Sequence, residues 1–236
     1  ISVHAAVGAG IPEPVARSAG RMAGKHRLGV IVPFRDAATK TSQGFDRTKN
    51  LNEFVPFITK FLRKAGVDFE IVISEQTQGA IFNKGAMFNA GYTVVKDRVD
   101  YIVLHDVDQI PENPKNTYAY PSQPVHLCAA SSQWNYRPSY GNMVGGAVMM
   151  QNVHYERVNG FSNSYFGWGQ EDDDFYFRLS KSGYMHGAGS RLSPKIGRYK
   201  ALAHKRVKDL DVTEMFRRGR KHLEKQMHGS RSPHKT

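Results

Sequence analysis

The chain has 236 residues, 40% of them hydrophobic and 23% charged, the composition of one globular α/β domain with a sizeable core or of two small ones. It has no run of about 18 apolar residues that would read as a membrane span, and its one cysteine, Cys128, excludes an intrachain disulfide and a cysteine-based zinc site. The net charge of +12 is concentrated at the ends, as residues 214–236 hold seven Lys/Arg against two Glu and residues 1–27 hold four against one. Such ends are read first as solvated tails, and otherwise as attracting an anionic partner such as a sulfated glycan.

Residues 1–26, rich in Ala, Gly and Pro, are expected to form a flexible arm. A catalytic domain is expected over 27–213 and a basic tail over 214–236. Leu28 to Pro33 reads as a buried strand. After a polar loop from Asp36 to Asn50, Leu51, Phe54, Val55, Ile58, Phe61 and Leu62 recur at helical spacing, with Gly66 as a stop. Phe69 to Ile73 is a second strand, about Asn83 to Val95 a second helix with Asn83 as N-cap, and Tyr101 to His105 a third strand. This alternation predicts a mostly parallel sheet with crossover helices, whose ligands bind beyond the carboxyl ends of the strands. Pro33-Phe34-Arg35 and Asp106-Val107-Asp108 both fall at such ends. Further on, Gly145 to Met150 reads as a strand. Asp172 to Ser182 reads as a helix stopped by Gly183, with Phe175, Phe177 and Leu179 as apolar contacts. Val207 to Met227 reads as a last, basic helix. Cys128, in the apolar run Val125 to Ala130, is expected to be a buried structural thiol.

Two acidic clusters stand out in so basic a chain. In Asp106-Val107-Asp108 the two carboxylates share one side of an extended segment, unless the strand has already turned. Oxygen ligands of this kind suit Mg²⁺ or Mn²⁺ bridging to a substrate phosphate. In Phe166-Gly167-Trp168-Gly169-Gln170-Glu171-Asp172-Asp173-Asp174, a Trp between glycines precedes four carboxylates at a helix start. The helix dipole and free N–H groups account for some of those acids but do not require all four. Converging carboxylates repel unless a cation or a proton resolves the conflict, which suggests a metal-assisted site with one carboxylate left as a base. Arg35 offers a guanidinium suited to a phosphate or a nucleobase carbonyl. Arg217-Arg218-Gly219-Arg220-Lys221 lacks the interleaved aromatics of a base-stacking surface, so no nucleic acid is expected.

These pieces, in this order, resemble the β-1,4-galactosyltransferase family of inverting GT-A enzymes. The matching elements are Pro33-Phe34-Arg35, Phe82-Asn83-Lys84, Asn89-Ala90-Gly91, His105-Asp106-Val107-Asp108, Val144-Gly145-Gly146, Asn159 to Asn163, Phe166 to Asp174, and His204. The likeness is greatest to the branch that galactosylates xylosyl proteins, the start of the glycosaminoglycan linker. It implies a single α/β catalytic domain of the GT-A, Rossmann-like type, with a mixed, mostly parallel sheet flanked by helices. It implies Mn²⁺, a UDP-sugar donor, a glycan or glycoprotein acceptor, and inverting transfer to a sugar 4-hydroxyl. By the same resemblance Asp108 and His204 would hold the metal and Asp172 would be the base. Glu171 would bind the donor sugar. Asp173, Trp168 and Gly169 would meet the acceptor. Pro33, Phe34, Arg35, Phe82, Asn83, Lys84, Asp106, Val107, Met143, Gly145 and Gly146 would form the donor site. Relatives work in the Golgi lumen behind an N-terminal anchor, which is not visible in this sequence.

The chain also departs from the family pattern. The family's second Arg, two residues past the first, is Ala37 here, and the segment to Asn50 is expanded. Lys84 replaces an Arg and loses its bidentate fork. Ala201 and Arg206 stand where the family has a further metal ligand. Met143 replaces a Tyr that narrows the donor pocket, and its slim, flexible side chain keeps UDP-GalNAc open as an alternative donor. A basic glycan- or nucleic-acid-binding protein with a decayed site is a second alternative.

Overall fold

A computed structural model of the chain describes residues 24–35, 47–77, 79–137, 141–167, 169–186, 189–203 and 212–228. Its first half is built of strand–helix repeats. Strand β1 (Arg27–Phe34) leads to helix α1 (Thr48–Lys64), β2 (Asp68–Glu75), α2 (Lys84–Val95) and β3 (Tyr101–His105). Short strands β4 (Gln109–Pro111), β5 (Val125–His126) and β6 (Ala130–Ser131) follow, and then β7 (Ala147–Gln151), α3 (Asn152–Arg157), α4 (Glu171–Lys181), β8 (Arg198–Ala201) and α5 (Val212–His228).

The main sheet runs β2-β1-β3-β7-β5. Its first three strands are parallel, and β7 and β5 join antiparallel. It is therefore mixed, parallel where crossover helices connect the strands and antiparallel where β7 returns beside β3. A second sheet, β4-β8-β6, departs from the end of β3. Its strands are two to four residues long, too short to give a periodic signal in the sequence.

Both faces of the main sheet are covered, which explains the nearly continuous apolar runs of β1 and β3. On one face Leu28, Val30, Val32 and Phe34 pack with Phe54, Val55, Ile58 and Leu62 of α1. On the other, Ile31, Val72 and Ile102 pack with Phe88, Tyr92 and Val95 of α2, and with Phe161, Phe175 and Leu179. Phe177, expected among these contacts, lies outside that cluster, with Lys181 over its ring. Asn83 caps α2 as expected, its side chain accepting from Ala86 N at 2.9 Å. Helix α5 lies within the expected 207–227 span apart from its last residue, while residues 207–211 lie outside the described residues. Cys128 is buried, its thiol pushed well above the usual range by burial, as befits a structural rather than a reactive group. Among the described residues, no helix is long and apolar enough to cross a membrane.

Candidate active site

The site forms at the carboxyl edge of the parallel strands. Ile31 of β1 pairs with Leu104 of β3, so Pro33-Phe34-Arg35 at the end of β1 and Asp106-Val107-Asp108 just past β3 lie at the same edge of the sheet. Strand β7 starts at this edge too, because Ala147 pairs with His105 and Asp106 N–H donates to Gly146 O at 2.8 Å. Three segments far apart in sequence therefore converge by strand pairing alone.

After β3 the chain turns at once, with Gln109 N–H reaching Asp106 O at 3.3 Å. The two aspartates therefore do not share a partner. Asp106 faces Lys84 Nζ at 3.2 Å, whereas Asp108 accepts from Arg47 Nη1 at 2.7 Å. Val107 between them points into the core and is 6% exposed. Phe34 is likewise a core residue, and Pro33 is buried. Arg35 lies 5.4 Å from the Phe82 ring and donates to Ala80 O, which brings the two expected donor-site segments together.

Beneath the turn is a buried chain of hydrogen bonds. Asn116 Nδ2 donates to Tyr199 Oη at 2.8 Å, and Tyr199 and Tyr118 share a bond of 2.8 Å. The Tyr118 hydroxyl meets His105 Nε2 at 3.0 Å, and His105 Nδ1 meets the Asp106 carbonyl at 2.9 Å. A carbonyl only accepts, so Nδ1 carries the ring proton and the chain runs one way, from Asn116 to Asp106. Burial holds the His105 pKa down at about 4, which keeps this neutral tautomer in place at neutral pH. No local sequence pattern marks this network, whose members span residues 105 to 199.

The acidic block opens α4, whose N-cap residue Gln170 makes no side-chain cap hydrogen bond. Asp174 is buried and paired with Arg178 Nε at 3.0 Å. Asp173 is half-buried on the same turn. Glu171 and Asp172 turn towards Lys84, whose Nζ lies 3.5 Å from Glu171 Oε1 and 3.1 Å from Asp172 Oδ2. Lys84 is thus the cation that lets Asp106, Glu171 and Asp172 converge. Burial alone would lower the lysine pKa, but the three carboxylates outweigh it and hold the pKa well above the usual range. Asp172 is pushed up to about 7, first by burial and then by Glu171 and Asp106, against the opposing pull of Lys84. A carboxylate poised near 7 suits a general base at neutral pH.

Two adjacent glycines leave room for their neighbours here, Gly145 for Asp172 and Gly146 for Cys128. A Cβ on Gly145 would stand 2.6 Å from Asp172 Oδ2, and one on Gly146 would stand 2.7 Å from Cys128 Sγ. Gly146 also has φ of +88°, which other residues rarely adopt. His126 Nε2 holds the Gly145 carbonyl at 2.8 Å, and Arg191 Nη2 donates to the carbonyls of Gly141 and Met143. The Met143 methyl reaches within 3.8 Å of the same Gly145 Cβ position, so Met143 borders the space beside Asp172. On the other side, Phe82 O accepts from Gly167 N at 2.7 Å and Asn83 Nδ2 donates to Asn163 O at 2.7 Å. These bonds tie Asn163 and Gly167 to the start of α2.

Trp168 and His204 lie outside the described residues. The backbone just before His204 is nonetheless tied to the turn, with Leu202 N–H donating to Asp108 O at 2.7 Å. Among the described residues no cluster of three or more His, Cys, Asp or Glu forms a metal cage. Arg47, which stands in no recognised motif, supplies the guanidinium at Asp108. No local pattern in the sequence marks it, since it lies 61 residues from Asp108.

The chain matches two family models, one after the other along the sequence. One describes the N-terminal region of glycosyl transferase group 7, over residues 20–121, and the other the N-terminal domain of galactosyltransferase, over residues 125–205. A solved structure of a Drosophila β-1,4-galactosyltransferase 7 mutant, complexed with manganese, UDP-Gal and xylobiose, superposes with a TM-score of 0.63. It is 30% identical, over 80% of this chain and 79% of that one. The chain belongs to the β-1,4-galactosyltransferase family. The Drosophila enzyme in complex with xylobiose gives a TM-score of 0.67 at 29% identity, over 89% of this chain and 82% of that one, which makes the fold GT-A. Among curated members of the family, β-1,4-galactosyltransferase 7 of Drosophila melanogaster is 37% identical over 160 residues, 67% of this chain and 46% of its own length. Xylosylprotein 4-beta-galactosyltransferase of Caenorhabditis elegans is 38% identical over 159 residues, 66% of this chain and 51% of its own length. These matches place the chain nearest the xylosyl-protein branch. It spans about half the length of these curated relatives.

Proposed function

We propose that this chain carries the catalytic centre of a metal-dependent galactosyltransferase that moves galactose from UDP-galactose to the 4-hydroxyl of xylose in β linkage. The observation that carries the reading is the Asp172 carboxylate, held beside Gly145 at a pKa of about 7, in a chain whose relatives are named for this reaction. The complex of the Drosophila relative with manganese, UDP-Gal and xylobiose supports the same donor, metal and acceptor here.

In this reading Asp172 takes the proton of the acceptor hydroxyl as its oxygen attacks the anomeric carbon. The attack comes from the face opposite UDP, the bond from that carbon to the diphosphate oxygen breaks, and UDP leaves with the bonding electrons. One displacement inverts the α-linked donor to a β product. Arg35 and Phe82 form one wall for the uridine, with Pro33, Phe34, Asn83 and Val107 shaping the floor behind it. Asp106, Glu171 and Met143 border the donor sugar. Asp173, Gly169 and Trp168 serve the acceptor.

The donor set fits a hard divalent cation. Asp108 is a part-buried carboxylate that already takes a cationic partner, and the segment leading to His204 is bonded to its backbone. Asp108 and His204 would hold Mn²⁺, which supplies Lewis-acid stabilisation of the departing diphosphate. Lys84 lies next to this arrangement and keeps Asp172 and its acidic neighbours together until substrate arrives.

The native enzyme would act in the Golgi lumen, as expected of its relatives. The test is transfer from UDP-Gal to 4-nitrophenyl β-xyloside with Mn²⁺, with the linkage read by NMR. A β1→4 product that disappears on chelation supports the reading. Preference for UDP-GalNAc over UDP-Gal would overturn the donor assignment.

A further inference from the structure

Helix α5 lies beyond the residues matched by either family model. One of its faces is docked onto the body beside the site. Gly219 abuts the turn before α4, where a Cβ would come within 3.3 Å of Gly169 O and Gln170 Cβ. The His222 ring meets Tyr165 edge-on at 5.1 Å, and Gln226 borders the same cleft as Arg178. Positions 219, 222 and 226 form one stripe of a helix.

The opposite face is basic. Arg217, Lys221 and Lys225 follow at four-residue intervals and are exposed, flanked by Arg218 and Arg220, whose side chains are 78% and 66% exposed. Glu214 pairs with Arg217 and Arg218, and Glu224 with Arg220. Five Lys/Arg against two Glu leave the helix a net cation.

We propose that the outer face of α5 docks an acidic stretch of the acceptor polypeptide, next to the residue that carries the acceptor sugar. This rests on the proposed acceptor. If that acceptor is a short sugar on a protein, the polymer adjoining the sugar is polypeptide. The Gly169–Gln170 turn, on the proposed acceptor side of the site, is the segment α5 packs against, so the helix stands beside the place where the acceptor would enter. A row of exposed cations at helical spacing recognises carboxylates by charge and sets encounter rate and substrate choice more than affinity.

The test uses fluorescein-labelled xylosyl-serine peptides flanked either by Asp/Glu or by Asn/Gln, with binding followed by anisotropy. The protein is compared with an Arg218→Gln/Lys221→Gln/Lys225→Gln variant and with a Lys221→Arg/Lys225→Arg control. The parent should bind the acidic peptide about fivefold or more tightly than the neutral one, from several partly screened charge contacts, with the preference shrinking as salt rises. The Gln variant should lose that preference and the Arg control should keep it. Equal binding of the two peptides by the parent, or a preference that survives in the Gln variant, would overturn the proposal. So would a sulfated glycosaminoglycan oligosaccharide of matched charge that binds the parent more tightly than the acidic peptide does. Transfer to 4-nitrophenyl β-xyloside, measured alongside, reports on the activity separately: its absence counts against the acceptor reading, while the peptide comparison decides the role of α5.

Discussion

Replacing Lys84 by Met keeps the length of the side chain and removes the charge that three carboxylates share. Lys84 Nζ lies 3.1–3.5 Å from Asp106, Glu171 and Asp172, and its side chain is 14% exposed. Losing one partner of a buried ion pair costs ~3–5 kcal/mol. Here the carboxylates keep some solvent contact and can relieve the repulsion by taking up a proton, so we expect about 1–3 kcal/mol of lost stability at neutral pH. The sharper consequence is catalytic. Lys84 opposes the burial that raises the Asp172 pKa to about 7, so its removal must raise that pKa further. An opposite charge at this distance is worth ~1–3 pKa units. The base form exists only above the pKa. Activity of the parent should therefore rise with pH through about 7, and that limb should move up by ~1–2 units in the variant. At pH 7 the loss of base form predicts a drop in kcat/KM of ~5- to 50-fold, largely regained near pH 9. The assay is the pH profile of kcat/KM for UDP-Gal transfer to a xyloside at saturating Mn²⁺. An ascending limb at the same pH in both proteins would refute the coupling of Lys84 to Asp172.

Other perturbations test the remaining parts. Gly145→Ala places a methyl group against the Asp172 carboxylate and should lower kcat by ~10- to 100-fold, with little change in the thermal midpoint, because misplacing a reacting group by about 1 Å has that effect. Tyr118→Phe removes the hydroxyl between Tyr199 and His105 and leaves buried polar atoms unpaired, so urea unfolding should show a loss of ~1–3 kcal/mol. Met143→Tyr should narrow the space beside Gly145 and reduce use of UDP-GalNAc relative to UDP-Gal by ~10-fold, read from competing-donor assays.

The sheet and its helices were legible because their signals are local. β1 and β3 are short apolar runs, α1 carries a helical stripe, and Asn83 caps α2 with its own side chain. The antiparallel return of β7 and the small second sheet were not, since pairing over such distances leaves no periodic mark in a five-residue strand. In the site, Asp106, Asp108, Glu171 and Asp172 were recognisable as acids at a strand end and a helix start. What holds them was not. Lys84 is 88 residues from Asp172, and Arg47 is 61 residues from Asp108. Converging carboxylates suggested a metal, but the arrangement divides them: Lys84 neutralises three, while Asp108 stands apart with Arg47. The D-x-D spacing suggested two carboxylates on one side. The turn that begins straight after His105 sends them to different partners.

In the proposed reaction the Asp172 carboxylate removes the acceptor proton. The most direct test of this role is the kcat of Asp172→Asn, an isosteric change that keeps the hydrogen-bonding outline and removes the base. Transfer to the xyloside should fall ~10²- to 10⁴-fold, with the KM for UDP-Gal changed little. A variant that retains kcat within about tenfold of the parent would contradict the assignment.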